Sequence, residues 1–544
     1  MEAMHALSYL VGRNAYRLDP DLRAVLDAFW PAHGAHAAEL DAFARWVGAE
    51  ALPVAYHVDH EARPVLVAHD LDGRRIDRVR FSPAQEALLP RLAAMNRPPY
   101  QEGGSWHHHF ALGGLLADPG LYCLATITNQ TIYVIRKYLP DRDVWAEHLL
   151  AGRWWGATWL TEAQGGSDLG ATALRAEPDG DAWRLWGEKY FCSGAGHADL
   201  AVVVARPPGA PPGPKGLGLF LVPRCAPDGR LNFFVRRLKD KSATRAVPSG
   251  EVEFVGSWAV LVPPAERGLY RTLEMLALAR LANAVGAMGL ARKAELEVRW
   301  RVRRRRAFGR LLRDHPLVRW DLLELAVRMA GGWALAFLAV DAFERIWRQP
   351  DPDGPEAARA RALLHAAKNR TADHAAEVTR LAMELFGGLG FLEEYAVARW
   401  HREALITPIW EGPANIQALD LREAVRRKGA ADPLRAALAP HLAQGTAAAR
   451  RARAALDEAL ATLAAEDAEA YAKAATARLA DAAQVAALYA VAATGGERYA
   501  RLAELYAARF LDGADYPQAA LADPALIDLP LEDEEAPPPA APTP

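Results

Sequence analysis

Glu411 stands between Trp410 and Gly412 in the stretch Thr407-Pro408-Ile409-Trp410-Glu411-Gly412-Pro413-Ala414-Asn415. A carboxylate with such apolar neighbours is costly to keep charged, so its pKa is expected to rise toward the working pH. That is what a base for a weakly acidic C–H bond needs. Taken alone, the segment also reads as a loop whose Glu accepts bonds from backbone amides. Hydroxyl-bearing segments occur at Trp159-Leu160-Thr161-Glu162-Ala163-Gln164-Gly165-Gly166-Ser167-Asp168 and Gly187-Glu188-Lys189-Tyr190-Phe191-Cys192-Ser193-Gly194. By themselves these read as a turn and as an alternating strand. The run Trp106-His107-His108-His109 raises the question of a metal. Three consecutive residues on a helix point about 100° apart, so these histidines cannot converge on one ion. No second ligand set stands at zinc spacing, and no metal site is expected. Arg299 to Arg306 is a basic cluster whose charges point in several directions, which reads as a solvated helix face or, less readily, as a nucleic-acid contact.

The elements that must position these residues fall into blocks. Residues 1–155 are expected to be mainly helical, with Leu22, Val25, Leu26 and Phe29 at helical spacing and Ser82 capping a helix that begins at Pro83. Residues 156–262 carry short β-branched runs such as Ala201-Val202-Val203-Val204, bounded by Asp-Gly turns, and are expected to form a small β-barrel or sandwich. The Pro/Gly-rich segment 207–214 is expected to be a flexible loop. Residues 263–428 return to long helices, with Leu273 to Leu290 apolar nearly all round, and are expected to form a four-helix bundle. Helix starts are expected at Pro316 and Pro355, and a stop at Gly387-Gly388. Residues 429–530 read as a separate alanine-rich helical region, and 531–544 as a disordered acidic and proline-rich tail.

The 544 residues, 51% hydrophobic, are enough for several domains with a sizeable core. The net charge of -3 announces no nucleic-acid partner. Three cysteines argue against a disulfide framework and for a reducing, cytoplasmic compartment. No signal-peptide pattern and no membrane-spanning apolar run are expected.

Taken together, these segments resemble the acyl-CoA dehydrogenases. Leu385-Phe386-Gly387-Gly388-Leu389-Gly390-Phe391, an Arg402-Glu403 pair, then Trp410-Glu411-Gly412 match the family's C-terminal signature, and Arg304-Arg305-Arg306-Ala307-Phe308-Gly309 resembles its Arg-x-x-Phe-Gly element. The resemblance implies a mainly α fold with a central β domain: a helical domain, a small β-barrel and a helical bundle, here with an extra C-terminal helical region. It implies FAD held by Thr158, Leu160, Thr161, Ser167, Phe191, Ser193, Arg305, Phe308 and Asn415, with Arg305 reaching the pyrophosphate of a neighbouring subunit. It implies Glu411 as the base, and contacts to acyl-CoA from Arg280 and Gly412. Some members carry the base immediately before an arginine of the buried helix; here that position is Ala279, followed by Arg280. Ala307, Pro413, Glu384 and Asn415 depart from the common pattern.

Within the family the likeness is greatest to the AidB-type, alkylation-response branch. It rests on Asp72-Gly73-Arg74-Arg75-Ile76-Asp77, Val79-Arg80-Phe81-Ser82-Pro83 and Ile409-Trp410-Glu411-Gly412, together with the extra C-terminal region. The implied activity is oxidation of an acyl-CoA to the 2,3-enoyl-CoA, by α-proton abstraction and β-hydride transfer to flavin N5. Electrons would pass to an electron-transfer flavoprotein, from a homotetramer. The alternative is an AidB-like flavoprotein that binds double-stranded DNA and protects it from alkylation, with weak dehydrogenase activity. Against it, the C-terminal region has about twice as many acids as bases, and Glu423 stands where a DNA-contacting arginine is expected.

Overall fold

The computed structural model describes residues 8–349, 354–529 and 531. The expected disordered tail lies, apart from Leu531, outside the described residues.

The N-terminal helices begin where side chains satisfy their free amides. In α1 (Pro20–Phe29), Asp19 Oδ1 accepts from the Leu22 amide at 2.9 Å. Leu22, Val25, Leu26 and Phe29 are all buried there. The next helix, α2, spans His33–Trp46. In α3 (Pro83–Ala94), Ser82 Oγ accepts from Gln85 N, as its position before a proline predicts. α4 (Trp106–Leu116) is buried along its whole length, and Asp118 caps the 20-residue α5 (Pro119–Tyr138). The turn at Asp70–Arg75 joins a hairpin, β1 (Val65–His69) with β2 (Arg75–Arg80), that periodicity alone did not reveal.

The β domain is one seven-stranded sheet. Its strands are β3 (Gly156–Trp159), β4 (Arg175–Asp179), β5 (Ala182–Ser193), β6 (Leu200–Ala205), β7 (Gly218–Pro223), β8 (Phe234–Leu238) and β9 (Ser249–Leu261). The order is β3-β6-β7-β9-β5-β4, with β8 paired to β9; only β3 and β6 run parallel. The sheet is tied to α5 by hydroxyls. Gly156 N donates to Thr128 Oγ1 at 3.1 Å, and Thr131 Oγ1 donates to the Ala157 carbonyl at 3.2 Å. A Cβ at Gly156 would stand 2.5 Å from Thr131 Oγ1, so this crossing requires glycine. The 207–214 loop, expected to be flexible, is instead pinned: the Arg206 guanidinium donates to the carbonyls of Gly170, Pro211 and Gly213.

The bundle comprises α6 (Gly268–Val302), α7 (Pro316–Glu344), α8 (Pro355–Phe386), α9 (Ala396–Ala404) and α10 (Ala414–Lys428). Gly387, at φ +67°, ends α8 as expected. Contrary to the expectation of no span-length apolar run, two helical stretches, Ala265–Val302 and Pro316–Glu344, are long and apolar enough to cross a bilayer. Both are core helices: 83% and 94% of their most apolar windows are buried inside the protein. Between α6 and α7, Phe308 and Gly309 both take positive φ and turn a short hairpin, β10 (Arg306–Ala307) with β11 (Arg310–Leu311).

The residues after 429 form α11 (Ala447–Ala464), α12 (Ala472–Gly495) and α13 (Glu497–Tyr506), with shorter helices. They are not a separate unit. One hydrophobic core runs from the N-terminal helices through the bundle into α11, α12 and α13. Buried polar contacts stitch it: Arg370 Nε lies 2.7 Å from Asp481 Oδ1, His374 Nε2 3.0 Å from both Gln484 Oε1 and Tyr506 Oη, and Arg498 pairs with Asp21.

Candidate active site

The Glu411 turn follows α9 and precedes α10. Glu411 takes φ +57° and Gly412 φ +90°. A left-handed conformation at a non-glycine residue costs about 1–3 kcal/mol and persists only where its surroundings over-determine it. Here they do. The Glu411 carbonyl accepts from Arg280 Nε at 3.2 Å and from Gln417 Nε2 at 2.9 Å; the Gly412 carbonyl accepts from Gln417 Nε2 at 2.9 Å and from Lys368 Nζ at 2.7 Å. Gln417 is itself oriented. Both its amide hydrogens face carbonyls, so its Oε1, 2.8 Å from His365 Nδ1, must be the acceptor and His365 carries its proton on Nδ1. Burial and the nearby arginines hold His365 down at about 3, in the neutral form this requires.

With its backbone fixed this way, Glu411 keeps its carboxylate free. Its Oε2 has no accessible surface and no hydrogen-bond partner. Burial pushes its pKa above the usual carboxylate value, opposed by the positive charges of Arg280 and Lys368. Burial brings Lys368 down to about 8, while Arg280 is also neutralised by Asp420, Nη1 to Oδ2 3.1 Å. Trp410, the preceding residue, donates its indole N–H to Asn283 Oδ1. At Ala279, the alternative position for a base, the side chain is buried and apolar.

The two β segments meet. Trp159 Nε1 donates to the Ser193 carbonyl at 2.9 Å, and Tyr190 N donates to the Thr161 carbonyl at 2.9 Å. This sets Thr158, Leu160 and Thr161, all half-buried, beside Phe191 and Ser193. Phe191 remains 57% exposed, with Tyr190 edge-on against its ring and Lys239 Nζ 4.9 Å from the ring centroid. Thr158 Oγ1 is engaged with Gln130 Oε1 at 3.0 Å. Gly166 folds onto Thr161: a Cβ there would lie 2.4 Å from Thr161 Oγ1. Cys123, on α5, packs against the core of the sheet, near Ser193. Burial pushes its thiol up to about 11, so it stays protonated.

Ser167 and Asn415 are exposed, as are Arg305 and Phe308 on and beside the β10–β11 hairpin, where Phe308 is 96% exposed. Sequence reasoning missed Cys123, Asn283, His365, Lys368 and Gln417. No local pattern marks them, because they converge from α5, α6, α8 and α10.

The turn between α9 and α10 thus presents a desolvated carboxylate at the end of the helical bundle. Three family models match between residues 7 and 426: the acyl-CoA dehydrogenase C-terminal domain over residues 266–426, the acyl-CoA dehydrogenase middle domain over 157–256, and the adaptive response protein AidB N-terminal domain over 7–154. The chain belongs to the acyl-CoA dehydrogenase family of oxidoreductases. Within it, the chain is similar to AidB of Escherichia coli, with 32% identity over 393 residues that span 67% of this chain and 70% of that protein. It is 33% identical over 384 residues to the 3-methylmercaptopropionyl-CoA dehydrogenase of Ruegeria pomeroyi, covering 64% of each. The fold is shared with the Caenorhabditis elegans protein ACDH-11, solved in complex with C11-CoA, at a TM-score of 0.83 and 23% identity, over 96% of this chain and 93% of that one.

Proposed function

We propose that the protein is an FAD-dependent acyl-CoA dehydrogenase that converts an acyl-CoA thioester to its 2,3-enoyl-CoA. One observation carries this reading: Glu411 is held in a left-handed turn by three side chains that bind only its backbone and that of Gly412, leaving Oε2 desolvated and without a partner. Such a carboxylate is poised to take a proton from carbon.

The donor set fits a flavin. Thr161 and Ser193 supply hydroxyls, the neighbouring strand ends supply backbone groups, and the exposed part of the Phe191 ring supplies an apolar surface. Ser167, Arg305, Phe308 and Asn415 would hold its phosphate and adenosine parts, Arg305 and Phe308 from a neighbouring subunit of a tetramer. When bound, FAD supplies the hydride acceptor for the β-hydrogen. The chain's own work is to remove the α-proton with Glu411, to set that residue's basicity with Arg280 and Lys368, and to exclude water around it. The amide N–H of Glu411 would help polarise the thioester carbonyl as enolate character develops. We assign an electron-transfer flavoprotein as the acceptor.

The DNA-binding alternative has less support. Arg427 sits 3.5 Å from Glu423, and Arg451 2.6 Å from Asp512, so carboxylates already match these cations.

Anaerobic titration of the flavin-loaded protein with straight and branched acyl-CoAs tests the proposal. Bleaching of the 450-nm region by one chain type supports it; no bleaching with any thioester, in protein that retains flavin, overturns it.

A further inference from the structure

Among the described residues, two groups of three side chains have ligand atoms close enough to share one cation: His36, Glu39 and His108, and Asp59, His60 and Glu393. The second is already neutralised, since Arg402 lies 2.7 Å from Asp59 and 2.9 Å from Glu393. In the first, no guanidinium or ammonium is paired with Glu39; its neighbours are imidazoles.

The three consecutive histidines of α4 diverge, as their 100° spacing requires. His107 faces Asp341 and Glu344 on α7, and His109 bonds the Met95 carbonyl at 2.7 Å. His108 points to α2. There, His36 and Glu39 are three residues apart and share one helix face. His108 Nε2 lies 3.4 Å from Glu39 Oε2, and His36 Nδ1 lies 3.6 Å from the same oxygen. All three ligand atoms fall within 4.8 Å of one another. Ligands about 2.0–2.2 Å from a tetrahedral zinc ion stand roughly 3.3–3.6 Å apart, which matches the two His–Glu39 distances of 3.4 and 3.6 Å.

A second observation points to a ligand. His108 is only 5% exposed, and its Nε2 has no accessible surface and no hydrogen-bond partner. Leaving such a nitrogen unpaired is costly, and a Lewis acid in front of it would remove the cost. Trp30 fixes the imidazoles: its ring stacks on His36 with centroids 5.0 Å apart and tilts against His108 at 5.4 Å. Glu39 and His36 are partly open to solvent, which provides an entry path and a place for a water as fourth ligand.

We propose that His36, Glu39 and His108 form a binding site for a divalent first-row transition-metal ion, with zinc the best match to two imidazoles and one carboxylate, and that the ion staples α2 to α4. The ligands come from separate helices and precede the residues of the dehydrogenase site in the chain, so the proposal stands whatever acyl-CoA the protein uses. Imidazole donors disfavour magnesium and calcium, which prefer all-oxygen shells.

The test is zinc titration of the full-length protein, first dialysed against chelator, by calorimetry and metal analysis. The expected result is one zinc per chain, unaffected by excess magnesium. Glu39→Gln and His36→Ala, both at partly exposed positions, are expected to weaken binding at least about tenfold. His60→Ala, in the other cluster, is expected to leave it unchanged. Absence of stoichiometric zinc in the wild type, or binding that survives His36→Ala and fails in His60→Ala, would overturn the proposal. Because Glu39→Gln keeps side-chain volume and sits at the surface, its flavin content and melting temperature without zinc should match wild type, which separates lost ligation from misfolding.

Discussion

Lys368 Nζ donates to the Gly412 carbonyl at 2.7 Å, tying the middle of α8 to the turn that carries Glu411. The same ammonium acts on the carboxylate through space and opposes the effect of burial on its pKa. Position and basicity of the candidate base therefore share one residue.

Glu411→Gln should lower turnover by about 10²–10⁴-fold, because an amide of the same shape cannot accept the α-proton. Flavin content should not change. Steady-state assay with a dye acceptor, together with the flavin absorbance ratio, checks both halves; normal turnover would remove Glu411 from its role.

The activity should rise with pH through the elevated pKa of Glu411, since only the ionised form is a base. Lys368→Met removes one of the two cations that lower this pKa. Its acidic limb should move to higher pH, and each unit of movement should lower activity about tenfold on that side. Lys368→Arg should restore part of the shift. Profiles of kcat/KM against pH for the three proteins measure it, and an unmoved limb in the methionine variant rules out the electrostatic role.

Arg305→Ala should weaken flavin retention and subunit association together if the guanidinium crosses to a neighbour. Phe308→Ser, which removes the 96% exposed ring, should act in the same direction. Flavin content after dilution and sedimentation velocity report the two properties; unchanged values in both variants would argue against the cross-subunit contact.

Glu297 is a buried acid on α6 that accepts from Ser8 Oγ at 2.5 Å and from Leu10 N at 3.2 Å. Burial raises its pKa from 4.5 to about 7. A carboxyl raised on folding contributes stability that is fully present below about pH 4.5 and lost as pH rises through about 7. Wild-type stability should therefore fall between pH 5 and 8 by more than that of Glu297→Gln. Urea midpoints at both pH values give the difference, and parallel slopes would count against it.

Asp481→Ala should destabilise the whole protein by about 1–3 kcal/mol, because it removes the acceptor of the half-buried Arg370 guanidinium and of the buried Tyr506 hydroxyl. It should do so in a single calorimetric transition. A separate low-temperature transition confined to the C-terminal helices would show that they fold on their own, against the continuous core.

What could be read from local sequence was what local physics sets. Ser82 before Pro83, the spacing of Leu22, Val25, Leu26 and Phe29, and the stop at Gly387 each depend on a few neighbouring residues, and all appear in the structure. The divergence of His107, His108 and His109 followed from helix geometry. Glu411 stood out by its apolar neighbours and by family likeness. The sequence alone could not show that Gln417, His365, Lys368 and Arg280 would fix its carbonyls, nor that Cys123 would meet Ser193. Except for Gln417, which lies six residues from Glu411, those contacts join residues from tens to more than a hundred positions apart, and their partners are chosen by how helices pack. The same holds for the C-terminal helices, whose composition looked self-contained until Asp481 and Arg498 paired with α8 and α1. It holds also for His36 and Glu39, an unremarkable pair on one helix that becomes a potential ligand set only when α4 brings His108 against it.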